Sequence, residues 1–486
     1  MFRPTREDVI QLRSKGNLVP IYAEVPADLE TPVSVYLKVA DTPYSFLLES
    51  VHGGETLGRY SFIGTDPYKV LHFPSTDIVY GEKDPLHYVE EELTQFKPVA
   101  IEGLPRFTGG AVGYLSYEVA RYFEDLPTPE ANSLELPESV FILTDTLLVF
   151  DHLRQTIKVI SHVRTDGNIE AAYEQASSKI DQIIAKLKLP LTDTQRVQAT
   201  SFDSETDIPE AISSTPKLDY LSQVDKIRNY INQGDLIQAV LSQRFVRPTT
   251  ADGFTIYRAL RSINPSPYMY YLNLDEFQII GASPEMLVRV DDGIIDYHPI
   301  AGTIRRGVSE QEDIQLAENL KSDEKEKAEH IMLVDLGRND VGKVSEPGSV
   351  KVTQLMDIER YSHVMHIVSH ITGKLRDDLT VYDVLRSCFP AGTVSGAPKI
   401  RAMEVIAELE QDKRGPYAGT VGYFSFSGNM DTAITIRTVV LKNGTAYVQA
   451  GGGIVADSID ENEFQETKNK AAAVLQAISR AETMLK

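Results

Sequence analysis

The amino-acid sequence predicts an α+β fold. Residues 17–165 read mostly as strands, several strand pairs read as hairpins, and the later helical and strand-like segments mix without the regular alternation of βαβ units.

In chain order, TPVSVYLKV (31–39), FILTDTLLVF (141–150) and TIKVISHV (156–163) are rich in β-branched and aromatic residues and predict strands. Ile169, Tyr173, Ala176, Ile180, Ile183 and Leu187 fall at helical spacing and predict an amphipathic helix. Residues 191–216 are rich in Pro, Ser, Thr and Asp and predict a linker between an N-terminal region, 1–190, and a C-terminal region, 217–486. The second region opens with a helix through Tyr220, Val224, Ile227 and Ile231, stopped at Gly234.

Two later helices carry acidic pairs. Ser322-Asp323 reads as a start signal for EKEKAEHIMLVDLGRND, which places Glu326 and Glu329 on one face. The last helix, from about Glu461, does the same with Glu463 and Glu466, followed by Lys470, and buries Phe464, Ala471, Leu475 and Ile478. A lone Glu-x-x-Glu is most often a solvated face. Two on separate helices can instead face each other, and hard oxygen donors suit Mg²⁺.

Three glycine-containing segments read as loops: PIAGT (299–303), PAGTVSGAPK (390–399) and AGGGI (450–454). Their backbone N–H groups can approach a carboxylate closely, because no Cβ intrudes. Pro398 suits the first position of the helix KIRAMEVIAELE. Neither Walker nor dinucleotide spacing is present. Arg437, at the end of the strand ITIR, is a candidate carboxylate partner. His363, His366 and His370 fall on a strand-like stretch, with His366 and His370 on one face, which suits a single acid-base histidine better than a zinc trio. Asn443-Gly444 reads as a hairpin turn.

The bulk numbers bound the function. The 48 Lys and Arg against 70 Asp and Glu leave a net charge of −22, which argues against nucleic acid or an anionic membrane as partner. Cys388 is the only cysteine, lies in an apolar helix end, and reads as a packed residue in a reducing, cytoplasmic setting. The N-terminus lacks the apolar core of a secretory signal.

The segments GASPEMLV, HPIAGTIRRG, DEKEKAEHIMLVDLGRNDVG, HVMHIVS, FPAGTVSGAPKIRAME, TIRTVV, QAGGGIV and ENEFQETKNKA, in that order, resemble the chorismate-utilising enzymes across 219–486. LLES (47–50), GRYSFIG (58–64) and GGAVGYLSYE (109–118) resemble the anthranilate synthase large subunits more loosely. The resemblance implies an intertwined αββα sandwich and Mg²⁺-dependent conversion of chorismate. It implies Glu329 and Glu466 as metal ligands with Glu463 and Glu326 beside them. Gly302, Thr303, Tyr417, Arg437, Gly451, Gly452, Gly453 and Lys470 are the implied substrate contacts, Glu285 the general acid, and His366 and Thr393 the rest of the catalytic group.

Two slots sort the family. Isochorismate and salicylate synthases carry a water-activating lysine where this chain has Gln238, and aminodeoxychorismate synthases that use a covalent route carry lysine where it has Ala301. A neutral amide and a methyl group suit ammonia attacking C2 directly, giving anthranilate through 2-amino-2-deoxyisochorismate. The alternatives are an aminodeoxychorismate synthase, an enzyme that stops at 2-amino-2-deoxyisochorismate, and a non-catalytic regulatory subunit. Nothing in the chain resembles a glutaminase, which implies a separate glutamine amidotransferase subunit, component II, as the ammonia source. LLES and NPSPYMYY (264–271) resemble the family's tryptophan pocket, so Glu49, Ser50, Pro267, Tyr268 and Met269 are candidate contacts for feedback inhibition.

Overall fold

A computed structural model describes residues 2–50, 58–75, 79–192, 211–360 and 364–484. Most of the predicted linker, 193–210, and His363 lie outside the described residues.

Two antiparallel sheets form the frame. The first runs, in spatial order, Leu18–Pro26, Thr156–Arg164, Thr146–Asp151, Tyr60–Gly64, Ser45–Glu49, Tyr268–Asn273, Phe277–Ser283, Thr438–Lys442, Thr445–Ile454, Gln238–Pro248 and Gly396–Ala397. The second runs Ile300–Arg305, Val364–Lys374, Ile294–Tyr297, Met286–Asp291, Met430–Ile434, Thr420–Ser425, Gly110–Leu115, Ser139–Thr144 and Lys69–Phe73. Strands from before and after the predicted linker thus share both sheets. In the first they meet where Ser45–Glu49 pairs with Tyr268–Asn273. In the second they meet where Gly110–Leu115 pairs with Thr420–Ser425.

The core falls into layers. Phe46, Leu147, Val149, Tyr270 and Ile279 of the first sheet meet Val112, Val140, Ile142 and Val421 of the second. On the outer face of the first sheet, Leu148 and Phe150 pack with the helices Ile169–Leu187, Gly253–Ile263 and Asp460–Met484. On the outer face of the second, Phe141 and Leu143 pack with Pro85–Leu93, Glu324–Val344 and Val381–Cys388. The order is helix, sheet, sheet, helix, an α+β sandwich. It explains why FILTDTLLVF is apolar at consecutive positions: successive residues point to opposite faces, and both faces are buried.

One predicted strand is a helix. Residues Pro32–Val39 are helical, because Thr31 and Ser34 form a reciprocal capping box and Pro32 occupies the first turn. Val35, Tyr36 and Val39 then bury one helical face. Other predicted elements stand: the strands Ser139–Thr144 and Thr146–Asp151, one in each sheet, the strand Thr156–Arg164, and the helices Ile169–Leu187 and Lys217–Gln233. Gly234 ends the last of these at φ +86°. Asn443 and Gly444, at φ +50° and +69°, turn the hairpin between Thr438–Lys442 and Thr445–Ile454. No helix among the described residues is long and apolar enough to cross a membrane.

Candidate active site and a second cavity

Two of the places where the chain crosses from one sheet to the other lie side by side. Phe277–Ser283 belongs to the first sheet and Met286–Asp291 to the second, so Pro284 and Glu285 make the passage. Met430–Ile434 and Thr438–Lys442 make the return passage through Thr435, Ile436 and Arg437. Backbone bonds zip the two together: Ile434 N donates to Glu285 O at 3.1 Å, and Ala282 N to Arg437 O at 3.2 Å.

These crossovers form one wall of a cavity of about 620 Å³. Gln238, Glu285, Ala301, Gly302, Thr303, Glu326, Glu329, His366, Thr393, Tyr417, Arg437, Gly451, Gly453, Glu463, Glu466 and Lys470 all line it. Of the expected chorismate-site residues only Gly452 is not among the lining groups, although a Cβ there would come within 3.1 Å of Glu463 Oε2. Val240, Lys325, Leu333, Gln449 and Asn469 line the cavity too and carried no sequence signal, since each reaches it only through the tertiary fold.

Several segments differ from their predicted local structure. AGGGI is not a loop but the end of strand Thr445–Ile454. Its pairing with Thr438–Lys442 stops at Val448, while Gly451, Gly452 and Gly453 continue opposite Ser242, Leu241 and Val240. One edge of the triple glycine is therefore left unladdered. A Cβ on Gly451 would sit 2.7 Å from the Tyr417 hydroxyl, and one on Gly453 would sit 2.4 Å from Gln238 Nε2. PIAGT likewise continues into the strand Ile300–Arg305, with a register irregularity at Gly302, where φ is +62°. Arg437 does not end a strand. It sits in the crossover at φ +53°, a left-handed conformation uncommon outside glycine. Pro398 precedes the helix Lys399–Leu409 as its cap instead of starting it.

The two acidic pairs face one another. Asp323 caps the helix Glu324–Val344, accepting from Lys325 N at 2.9 Å and Glu326 N at 3.1 Å, which starts the helix where Glu326 and Glu329 reach the cavity. Glu463 and Glu466 come from the helix Asp460–Met484. Burial, then the charges of Glu329, Asp323 and Glu466, push the Glu326 carboxyl above its usual range. Burial first, and Glu466 in part, do the same to Glu463. Glu463 Oε2 is buried with no hydrogen-bond partner. Glu329 accepts from Gln238 Nε2 at 3.1 Å, and Glu466 pairs with Lys470 Nζ at 2.6 Å. Among the described residues no group of three or more His, Cys, Asp and Glu side chains is placed to hold a metal ion by itself. Crowded carboxylates and an orphaned oxygen nevertheless fit a hard divalent cation that keeps waters and takes a substrate oxygen.

Cations and a proton donor complete the lining. Arg437, half-buried, donates to Lys470 O. Lys470 Nζ also donates to Gly451 O at 2.9 Å. Burial pushes the Glu285 carboxyl up to about 8, against smaller opposing effects of the Thr393 hydroxyl and the Lys470 charge. It therefore carries its proton at neutral pH. Thr393 Oγ1 is buried without a hydrogen bond of good geometry. His366 Nδ1 lies 2.9 Å from Gly302 O and 3.1 Å from Thr303 Oγ1. A carbonyl only accepts, so Nδ1 bears the hydrogen and Nε2 the lone pair. Burial holds the ring below its usual pKa and hence neutral. His370 points elsewhere, to Asp296 at 3.3 Å and the His298 ring. Cys388 is buried, as expected of a packed residue.

A second cavity, of about 470 Å³, shares no lining residue with the first. Glu49, Ser50, Pro267, Tyr268 and Met269 line it with Arg59, Phe62, Arg289, Tyr423 and Asp431. The Glu49 carboxylate is held by Arg261, at 2.9 and 3.1 Å, and by the Tyr257 hydroxyl. Tyr268 donates to Asp431 at 3.1 Å.

Known proteins share this arrangement. The chain is 48% identical to anthranilate synthase component 1 of Acetivibrio thermocellus, over 99% of each chain. It is also 48% identical to that of Pseudomonas aeruginosa, over 98% of this chain and 99% of the relative. The crystal structure of anthranilate synthase component I from Streptococcus pneumoniae superposes with a TM-score of 0.75 at 38% identity, covering 93% of this chain and 99% of that one. The menaquinone-specific isochorismate synthase of Escherichia coli, 18% identical, shares the fold with a TM-score of 0.72 over 97% and 98% of the two chains. The profile of the chorismate binding enzymes matches residues 44–476, nearly the whole sequence. On full-length likeness and on fold alike, the chain belongs to the chorismate binding enzyme family, among its anthranilate synthase component 1 members.

Proposed function

We propose that the chain is the chorismate-converting component of an anthranilate synthase, turning chorismate and ammonia into anthranilate and pyruvate. The observation that carries this reading is a proton-bearing Glu285 sharing a cavity with a neutral amide, Gln238. Hydroxide is a poor leaving group, so loss of the C4 hydroxyl as water needs an acid still protonated at neutral pH. Gln238 has no basic lone pair with which to activate water, and Ala301 offers no nucleophile. Ammonia needs neither. Its attack at C2 with loss of water gives 2-amino-2-deoxyisochorismate, and loss of the C2 proton with the enolpyruvyl group then gives anthranilate and pyruvate. The Nε2 lone pair of His366 suits the acceptance of that proton.

Chorismate is a dianion. Arg437, Lys470 and the unladdered glycine edge supply positive charge and N–H donors, with Tyr417 and Thr303 adding hydroxyls. Glu329 and Glu466, with Glu463 and Glu326 beside them, would hold Mg²⁺, which when bound supplies charge against a substrate carboxylate. The ammonia would come from a glutamine amidotransferase subunit. The second cavity would take tryptophan as a feedback inhibitor, its aromatic walls matching an indole and its arginines and acids matching the amino-acid head. The setting that suits this chemistry is the cytoplasm.

Incubation of the purified chain with chorismate, Mg²⁺ and ammonium, followed by anthranilate fluorescence and mass spectrometry, tests the reading. Anthranilate plus pyruvate is the expected product. 4-Amino-4-deoxychorismate, or accumulation of the intermediate without pyruvate, would replace it with one of the alternative enzymes. Glu466→Gln is expected to abolish Mg²⁺ binding by calorimetry together with turnover; unaltered turnover would exclude Glu466 from the metal site, whereas a wild-type chain without turnover would revive a non-catalytic role.

A further inference from the structure

Arg414 is the largest of the essentially fully buried side chains, and nothing in the proposed chemistry uses it. It precedes the turn that carries Tyr417. Its guanidinium spends its donors on three separate segments. Nε and Nη2 bond the two oxygens of Glu410 at 2.8 and 2.7 Å, Nη2 also bonds Val240 O at 2.7 Å, and Nη1 bonds Val394 O at 2.8 Å. The same group faces the Tyr417 ring, 5.6 Å from its centroid. Glu410 in turn accepts from the Ser242 N–H and hydroxyl, both at 2.8 Å.

Each of these contacts stands next to the cavity. Val240, Val394 and Tyr417 line it, Val240 lies two residues from Gln238, and Val394 is adjacent to Thr393. The three segments have no continuous ladder joining them all. Gly396–Ala397 pairs with the first two residues of the strand Gln238–Pro248 and Val240 N donates to Ser395 O at 2.9 Å, but no ladder links that pair to the turn carrying Tyr417. A neutral core residue could fill the volume but could not tie two carbonyls and a carboxylate together.

We propose that Arg414, backed by Glu410, is a positioning residue: one planar fork fixes Gln238, Thr393 and Tyr417 relative to one another on the substrate-facing wall. It touches no substrate and acts through the residues it holds. The inference rests on the chorismate reading above. It separates from mere charge neutralisation because lysine keeps the charge without the fork, and because the pair can be removed together.

Two variants of the full chain test it, assayed with chorismate, Mg²⁺ and ammonium. Arg414→Lys keeps a cation opposite Glu410. The double variant Arg414→Met/Glu410→Gln removes both charges and avoids leaving one buried unpaired. Both are expected to fold, by circular dichroism. Both are expected to lose roughly 100-fold in kcat/KM, the scale of an ångström of misplacement. Calorimetric Mg²⁺ affinity should stay within about threefold of the wild type, since the carboxylate helices do not bond Arg414. Recovery of activity to near wild type in either variant would overturn the proposal, because charge balance or volume alone would then suffice. Parallel loss of Mg²⁺ binding would overturn it as well, by showing a general collapse. A wild-type chain that makes no anthranilate yet binds Mg²⁺ would sink the chorismate reading itself, and this role with it.

Discussion

At the scale of single residues, function turns on where protons sit. Glu285 is held at about 8 chiefly by burial, between Ser283, which ends one strand, and Met286, which begins the next. Its acid form is the active one, so the sign is fixed: activity is full below about pH 8 and falls as pH rises through it. We expect kcat/KM for chorismate, measured at constant free ammonia, to drop with unit slope above about pH 8. Glu285→Gln should remove that inflection and lower the rate by roughly 10²–10⁴. A profile flat to pH 9 in the wild type would exclude Glu285 as the acid. The serine-proline-glutamate motif is visible in the sequence. The burial that keeps the proton on is not, because it arises only in the tertiary fold, which also brings up the opposing groups Thr393 and Lys470 from more than a hundred residues away.

At the scale of elements, local signals were readable wherever one kind of signal acted alone. The helix through Ile180 and the hairpin at Asn443-Gly444 follow directly from periodicity and turn chemistry. Residues 31–39 carried two signals at once, and β-branched content suggested a strand. The capping pair Thr31 and Ser34 with Pro32 decides for a helix, since it satisfies orphan N–H groups that a strand would leave to a neighbour. The glycine triple misled in the other direction. Glycine usually breaks a strand, but here strand geometry persists because Tyr417, Gln238 and Glu463 crowd the space that side chains would fill. Gly453→Ala tests that explanation. Its methyl group would meet Gln238 Nε2 at 2.4 Å, so the amide must move off Glu329. We expect a loss of about 10-fold or more in kcat/KM with stability changed by no more than about 1 kcal/mol, read by turnover and thermal melting together. Full activity would show that the position of Gln238 does not matter.

At the scale of the whole molecule, the two cavities are lined by neighbouring stretches of the same crossover segments. Tyr268 and Met269 of the second cavity pair across the ladder with Ser283 and Ala282, and Ser283 lies two residues before Glu285. Arg289 of that cavity lies four residues beyond Glu285, on the strand that follows it, and Asp431 and Ala433 lie on the strand that leads to Arg437. Sheet membership of this kind depends on pairings between distant segments, which is why the sequence revealed both sets of residues but not that the same strands connect them. A ligand that spreads the second cavity must press on the crossovers holding Glu285 and Arg437, which are zipped together and cannot move independently. Tryptophan and chorismate should then oppose each other's binding by one common factor, as linkage requires. Ser50 lines the second cavity and lies away from the chorismate-facing wall. Filling the cavity with the ring of Ser50→Phe is expected to abolish tryptophan inhibition while ammonia-dependent turnover stays within about threefold of the wild type. Unchanged inhibition would exclude this cavity as the tryptophan site. Lost inhibition with an equal loss of turnover would mean instead that a filled cavity itself mimics the inhibitor and holds the crossovers in the inhibited position.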